Sequence, residues 1–534
     1  MRSWKRRSAL LLSLLVLFTA LSGCGGGAER TLSVCAGPAP TSLDPIYAEA
    51  AGDQTILMNL YENLMRLGSD ASGAVSVRNG AAQSVSQEEH FDGTVTYTFR
   101  LREAEWSDGE PVTASDFVYA WQRLADPSNA SPYRELLSVV KGYDSVQETG
   151  DVSRLQASAK DERTLVVELN GKYDWFLSQV CTAPATLPLR QDVVERQTEG
   201  DAWWEDAEQL PTNGIYAVED YAPGKTLEVN AGKHYEGEIN GPETLTFHFA
   251  KTPETAWKLY QEETVDFVRT LPGKQAETAQ LRAPLLGTYS ILTNSGEGGL
   301  PPALCRALNL AIDREAVAKV LGGSVQAAEG LIPPGVLVGE RGEFREMAGP
   351  ALESDKKHQD KQVQEAQELI KSLESLPETI PYYYREEEQE AGAAVAEEAA
   401  RQWKETLGLT VEPQAVTAEE LNEALHSGEF ALIGGWISAM GNEAECLLRT
   451  WSSESVANRT GYRNSAYDTL LSIISGAAES DARLACLRDA EALLLEDGAV
   501  IPLYTEETAW VLRTEQSGTC RDSRGWFLFA SVTR

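Results

Sequence analysis

Within residues 94–102 the chain alternates without a break: Val95, Tyr97, Phe99 and Leu101 are apolar, and Thr96, Thr98, Arg100 and Arg102 are polar. A period of two places the first set on one side of an extended strand and the second on the other, so this segment belongs in a sheet with one covered face. The next twenty residues supply a cover. Trp106-Ser107-Asp108-Gly109 reads as a turn. Thr113-Ala114-Ser115-Asp116 has the spacing of a capping box, in which each end side chain bonds the other's backbone N–H at a helix start. Phe117, Trp121 and Leu124 then recur at helical spacing and pack that helix inward. The alternation of strand and helix continues. Strands are predicted at 164–169, 244–249 and 430–433, and helices around Leu304/Leu308/Ala311, Ala366/Leu369/Ile370/Leu373 and Val395/Ala399/Trp403/Leu407. Tyr382, Tyr383 and Tyr384 after Pro381 read as the start of a buried strand. The class is α/β.

The N-terminus sets the compartment. Arg2, Lys5, Arg6 and Arg7 precede an uncharged apolar run over residues 9–21, the pattern of a signal peptide. The run is shorter than the roughly 20 apolar residues that span about 30 Å of hydrocarbon. It ends in Leu21-Ser22-Gly23-Cys24, which resembles the bacterial lipobox. That resemblance implies a signal peptide over 1–23, cleavage before Cys24, acylation of its thiol, and a Gly-rich tether over 24–30. The remaining chain of roughly 510 residues exceeds the single core of up to about 250–300 residues, so two or three lobes are expected. No internal repeat and no long low-complexity linker interrupts it.

With the N-terminal cations removed, 42 Lys+Arg face 81 Asp+Glu, a charge near −39. Such a surface repels phosphate backbones and anionic lipid, which argues against nucleic acid or a membrane face as partner. Beyond Cys24 there are six cysteines, an even count that permits disulfides outside the cell without requiring them, and Cys305 with Cys446 is one candidate pair. No CxxC or Cys/His cluster is present, and the five histidines lie far apart, so neither metal nor cofactor is expected. A nucleophile elbow, an HExxH helix, a P-loop and a dinucleotide fingerprint are all missing, and an enzyme is not expected.

The run Tyr97-Thr98-Phe99-Arg100-Leu101-Arg102, Trp106-Ser107-Asp108-Gly109, Pro111-Val112-Thr113 and Asp116-Phe117-Val118-Tyr119-Ala120-Trp121 resembles the signature of peptide/nickel-type extracellular solute-binding proteins, the substrate-binding lipoproteins of oligopeptide ABC transporters. It is flanked in order by Leu43-Asp44-Pro45, Asn213-Gly214-Ile215-Tyr216, Leu308-Asn309-Leu310-Ala311-Ile312-Asp313-Arg314, Ile332-Pro333-Pro334-Gly335, Gly435-Trp436, Thr460-Gly461-Tyr462 and Val500-Ile501-Pro502-Leu503-Tyr504. The resemblance implies a periplasmic-binding-protein-like bilobal hinged fold of the large type II form with an extra inserted lobe. Lobe I takes 31–75, 196–295 and 501–534, lobe II takes 76–195, and lobe III takes 296–500. Closure around ligand is a population shift, because ligand touches both lobes only in the closed form.

The same resemblance implies a ligand held extended by backbone hydrogen bonds, with Glu49, Ala51, Tyr133, Gly435 and Trp436 lining the cleft. It implies a monomer whose partners are a peptide-like solute and the permease of an importer, with the membrane reached only through the lipid on Cys24. Plainer roles stand beside these: Glu49 as a solvated loop charge, Trp436 as packing, and Trp106, Trp121 and Trp403 as core. One departure bears on specificity. Relatives usually carry an Asp three residues after that Gly-Trp, whose carboxylate pairs with a peptide's α-ammonium, and this chain has Ala439. Glu443 and Glu445 are the nearest acids that could replace it. A second aromatic of many relatives falls at about Ala418. A capped or cyclic peptide, a nickel chelate or another non-peptide ligand therefore stays open, as does a surface sensor with the same fold.

Overall fold

The computed structural model describes residues 30–69, 75–196, 203–204, 210–235, 239–296, 298–339, 341–353, 356–438, 441–455, 457–477, 480–513 and 517–533. The apolar N-terminal run, Cys24 and Ala439 lie outside the described residues.

In chain order the first strands are β1 (Thr31–Gly37), β2 (Met65–Ser69), β3 (Val75–Asn79), β4 (Ala82–Glu89), β5 (Val95–Leu101), β6 (Ala157–Asp161) and β7 (Thr164–Leu169). Next come β8 (Tyr216–Ala222), β9 (Thr226–Ala231), β10 (Thr244–Phe249), β11 (Phe267–Val268), β12 (Leu281–Thr293) and β13 (Val325–Ala327). The last are β14 (Ile380–Arg385), β15 (Val411–Val416), β16 (Leu432–Ser438), β17 (Val500–Leu512), β18 (Cys520–Arg521) and β19 (Phe527–Leu528).

The alternating segment forms β5, in the sheet β4-β5-β7-β6. Val95, Tyr97, Phe99 and Leu101 are buried in the same core as Phe117, Trp121 and Leu124 of the helix Ala114–Ala125. The helix starts as its spacing requires, with Asp116 Oδ2 accepting the Thr113 backbone N–H at 2.8 Å. Trp121 donates its indole N–H to Thr186 O at 3.1 Å, so the core carries no orphan donor there.

The large sheet runs β15-β14-β16-β12-β17-β11-β1-β10-β9-β8, with β13 also on β17. Its two halves serve different cores. One core joins β1, β9 and β10 to the β4–β7 sheet and the helices between them. The others pack β12, β14, β16 and β17 under the helices Pro302–Ala311, Gln389–Leu407 and Asp481–Glu496. Among the described residues, only β12 and β17 pass from one half to the other. Leu281–Pro284 pairs with Glu507–Trp510, and Thr288–Leu292 with Val500–Thr505, with the register broken between Pro284 and Thr288. Proline cannot donate to the ladder, so the break falls where the sequence weakens the pairing.

Two expectations change. The predicted strand at 430–433 is observed as Leu432–Ser438, because Gly434 and Gly435 do not end it: pairing with Ile291 and Ser290 of β12 carries the strand through them. The Cys305–Cys446 pair is not formed. Both thiols are buried and free, Cys305 in the helix Pro302–Ala311 and Cys446 in the helix Ala444–Leu448, where it packs into the other core. Burial raises both thiol pKa values, Cys305 to about 11, which disfavours the reactive thiolate.

Candidate functional site

β1 runs parallel to both its neighbours, β10 and β11. Loops at the carboxyl ends of such strands, where the chain leaves to opposite sides, are where α/β sheets bind ligands. The loop after β1 is anchored by Asp44, which receives both Nη atoms of Arg123 at 2.8 and 2.6 Å and the Trp203 indole N–H at 2.9 Å. That anchoring leaves Glu49 exposed, with its N–H on Tyr47 O at 3.0 Å. Ala51 is half-buried and opens the helix Ala51–Leu60. Tyr133 reaches across from the β4–β7 region: its hydroxyl donates to Ala48 O at 3.2 Å and accepts from Gln54 Nε2 at 3.0 Å. Burial pushes the Tyr133 hydroxyl pKa up, and the Glu49 charge adds to it. Three of the five expected residues therefore lie together.

Gly435 and Trp436 stand on β16. On one side β16 pairs with β12 over its whole length. On the other, β14 meets only Leu432 and Ile433, so among the described residues Gly434–Ser438 presents an unpaired edge. A side chain built at Gly435 would point into open space. Trp436 is 39% exposed and rests edge-on against Tyr289 and Tyr504, at centroid distances of 5.8 and 5.5 Å. Those two tyrosines stack at 4.9 Å, and the Tyr289 hydroxyl donates to Glu388 Oε2 at 2.7 Å. Burial is the first cause raising the Tyr289 hydroxyl pKa, which keeps it a donor. Tyr382 is buried beside them, its hydroxyl near Gly434.

Sequence reasoning named Trp436 and noted Tyr504 within a motif, but it did not assign Tyr504, Tyr289 or Glu388 to this wall. The signal available was the Val500-Ile501-Pro502-Leu503-Tyr504 run, whose register on β12 sets Tyr504 opposite Tyr289. The Glu49 group and the Trp436 group stand apart, on the two halves that β12 and β17 connect.

The halves do touch elsewhere. The Asn442 N–H donates to Gln179 Oε1 at 2.6 Å, and the Arg449 guanidinium lies 5.5 Å from the Tyr173 ring centroid. Next to these contacts Glu443 and Glu445 are buried and both accept from Arg483 Nη2, at 3.1 and 2.8 Å. Burial, opposed by Arg483, raises the Glu443 carboxyl to about 7. These two acids are thus engaged inside the protein and are not presented to an ammonium group. Among the described residues no cluster of His, Cys, Asp or Glu has the makings of a metal site. No helix among them is long and apolar enough to cross a membrane.

Two halves linked by two continuous strands, with an open strand edge beside an exposed aromatic wall, define a hinged solute-capturing protein. The chain matches the bacterial extracellular solute-binding proteins, family 5 Middle, over residues 77–459, and belongs to that family. It is 29% identical to the periplasmic oligopeptide-binding protein OppA of Haemophilus influenzae, covering 88% of this chain and 86% of that one. It is 27% identical to the probable deoxycholate-binding periplasmic protein YgiS of Escherichia coli, covering 90% and 88%. The crystal structure of Haemophilus influenzae OppA in complex with RPPGFSPFR superposes with a TM-score of 0.75 at 24% identity, covering 95% of this chain and 99% of that one. The fold is therefore the bilobal, type II periplasmic-binding-protein form, and the protein is an extracytoplasmic solute-binding protein.

Proposed function

We propose that the protein captures a peptide or peptide-like solute between Glu49, Ala51 and Tyr133 on one side and Gly435 and Trp436 on the other, and delivers it to the permease of an ABC importer. The unpaired edge of Gly434–Ser438 carries this reading: an extended peptide can add to it as a strand, drawing affinity from backbone bonds and little from side-chain identity. An oligopeptide, the ligand in one relative's name, suits the open strand edge, and deoxycholate, in the other's, suits the exposed Trp436 face. The protein acts by binding and release, with no bond made or broken. We assign the lobes as 31–75, 196–295 and 501–534, then 76–195, then 296–500. The β4–β7 sheet, which lies wholly inside the second of these, supports the assignment. The hinge is the irregular stretch from Pro284 to Thr288 and its partner on β17.

The test is native mass spectrometry and thermal shift with peptides of two to eight residues, capped peptides, nickel chelates and deoxycholate. Ligand at 100 times its Kd stabilises by about 2.7 kcal/mol, a readily measured shift. A response to peptides supports the reading; silence to all peptides with a response to a chelate or to deoxycholate replaces it with a non-peptide ligand. Ala439 favours ligands without a free ammonium, so N-terminally acetylated peptides that keep a free carboxyl end are expected to bind at least as well as the unblocked ones. Cys24→Ser is expected to move the protein from the membrane fraction to the medium or periplasm, and retention in the membrane would remove the lipid anchor from the proposal.

A further inference from the structure

Among the described residues, two guanidinium groups near the loop after β1 lack counter-ions. Arg269 directly follows β11 at its carboxyl end. Its Nε donates to Ala36 O at 2.6 Å, and its Nη2 would lie 3.7 Å from a Cβ placed on Gly37, so the guanidinium sits over the end of β1. Arg521, on β18, lies over the Trp510 ring at 5.2 Å, and its Nε and Nη2 are buried without any hydrogen-bond partner. The turn after it returns through Gly525, where an added Cβ would touch Ala51 Cβ at 3.7 Å. This brings the Arg521 turn onto the N-terminus of the helix Ala51–Leu60.

The acids nearby are otherwise engaged. Asp53 bears on Arg269, but its Oδ2 accepts from Thr41 N, Thr41 Oγ1 and Ser42 N, and burial raises its carboxyl. Asp522 bears on Arg521, but Arg524 holds it at both oxygens, at 2.7 and 2.9 Å. Among the described residues neither Arg269 nor Arg521 makes an ion pair. Burial first, and the Arg269 charge among the lesser causes, lower Arg521 to about 10. In a chain of net charge −35, two like charges held near each other with unfilled donors are costly unless an anion completes them.

We propose that Arg269 and Arg521 form a carboxylate-binding pocket at the Ala51 side of the cleft, which fixes the acidic end of the ligand. This rests on the solute-capture reading above and gives it a polarity. Guanidinium forks suit a carboxylate better than any neutral group, since paired N–H donors match its two oxygens. The chain then recognises a ligand by its negative end, while the position that takes a positive end in relatives is Ala439.

The experiment compares the protein with Arg269→Gln and Arg521→Met variants in three binding arms: tripeptides as free acids, the same peptides as C-terminal amides with and without an acidic side chain, and deoxycholate. The expected result is at least tenfold weaker binding of amides lacking an acidic side chain, with that discrimination lost in both variants; this assigns the pocket to the peptide's terminal carboxylate. Retained binding of amides that carry an acidic side chain, lost in the variants, supports the pocket and assigns it to that side chain. Variant-sensitive binding of deoxycholate alone supports the pocket and overturns the peptide reading. Equal binding of acids and amides overturns the pocket and leaves peptide capture standing. A response that does not depend on either variant in any arm, silence included, also overturns it. A second readout guards against misfolding: because the unliganded charges repel, Arg521→Met is expected to melt at or above the temperature of the parent, whereas a purely structural arginine would lower it.

Discussion

Trp121 and Trp436 show how one side chain serves opposite ends in the two halves of the molecule. Trp121, on the helix Ala114–Ala125, is fully buried in the core it shares with β5, edge-on to Phe176 at 6.2 Å, with its indole N–H bonded to Thr186 O. Trp436 keeps 39% of its surface open while Tyr289 and Tyr504 hold it from behind. The first ring has nothing left to offer a ligand. The second is fixed by its neighbours, so covering its free face loses little side-chain freedom. The β4–β7 half is thus complete in itself, and the β16 wall is built to be completed from outside.

The contrast breaks most sharply at its buried end. Trp121→Ala is expected to lower stability by about 3–5 kcal/mol in denaturant melts, with or without ligand, because the helix Ala114–Ala125 cannot collapse into the space. Trp436→Ala is expected to weaken ligand by about 10- to 100-fold while changing stability by less than about 1 kcal/mol. Equal stability losses in the two variants would erase the distinction and return Trp436 to plain packing.

A third prediction concerns the contact zone between the halves. The folded-state pKa of Glu443 lies above its unfolded value of 4.5, at about 7, chiefly through burial. The group therefore favours folding fully below pH 4.5, and that contribution is lost as pH rises from there through about 7. Stability measured from pH 5 to pH 8 is expected to fall by on the order of 1–2 kcal/mol from this group. Glu443→Gln should flatten that slope, and an unchanged slope would mean that Arg483 keeps Glu443 ionised throughout. The smallest effect sharpens the other wall. Tyr133→Phe removes the hydroxyl that ties Ala48 and Gln54, and is expected to cost about 0.5–1.5 kcal/mol and to loosen the Glu49 loop, seen as faster amide exchange there.

Several parts were legible from residues alone. The strand β5, the capped helix Ala114–Ala125 and the burial of Trp106, Trp121 and Trp403 follow from local periodicity and capping chemistry, which act over a few residues. The extent of β16 was not legible, since it is pairing with the distant β12 that carries the strand through Gly434 and Gly435. Glu443 and Glu445 looked available by their place in the chain, yet Arg483 holds both from some forty residues away.

What the sequence determined by itself is therefore the α/β class, the family motifs and the local elements, all set by near neighbours or by side-chain type. The tertiary structure alone decided which strand edge stays open, which acids are consumed internally, and that Arg269 and Arg521, far apart in the chain, come together without a counter-ion among the described residues. Those outcomes depend on the register of long-range strand pairs, and no short-range pattern encodes that register.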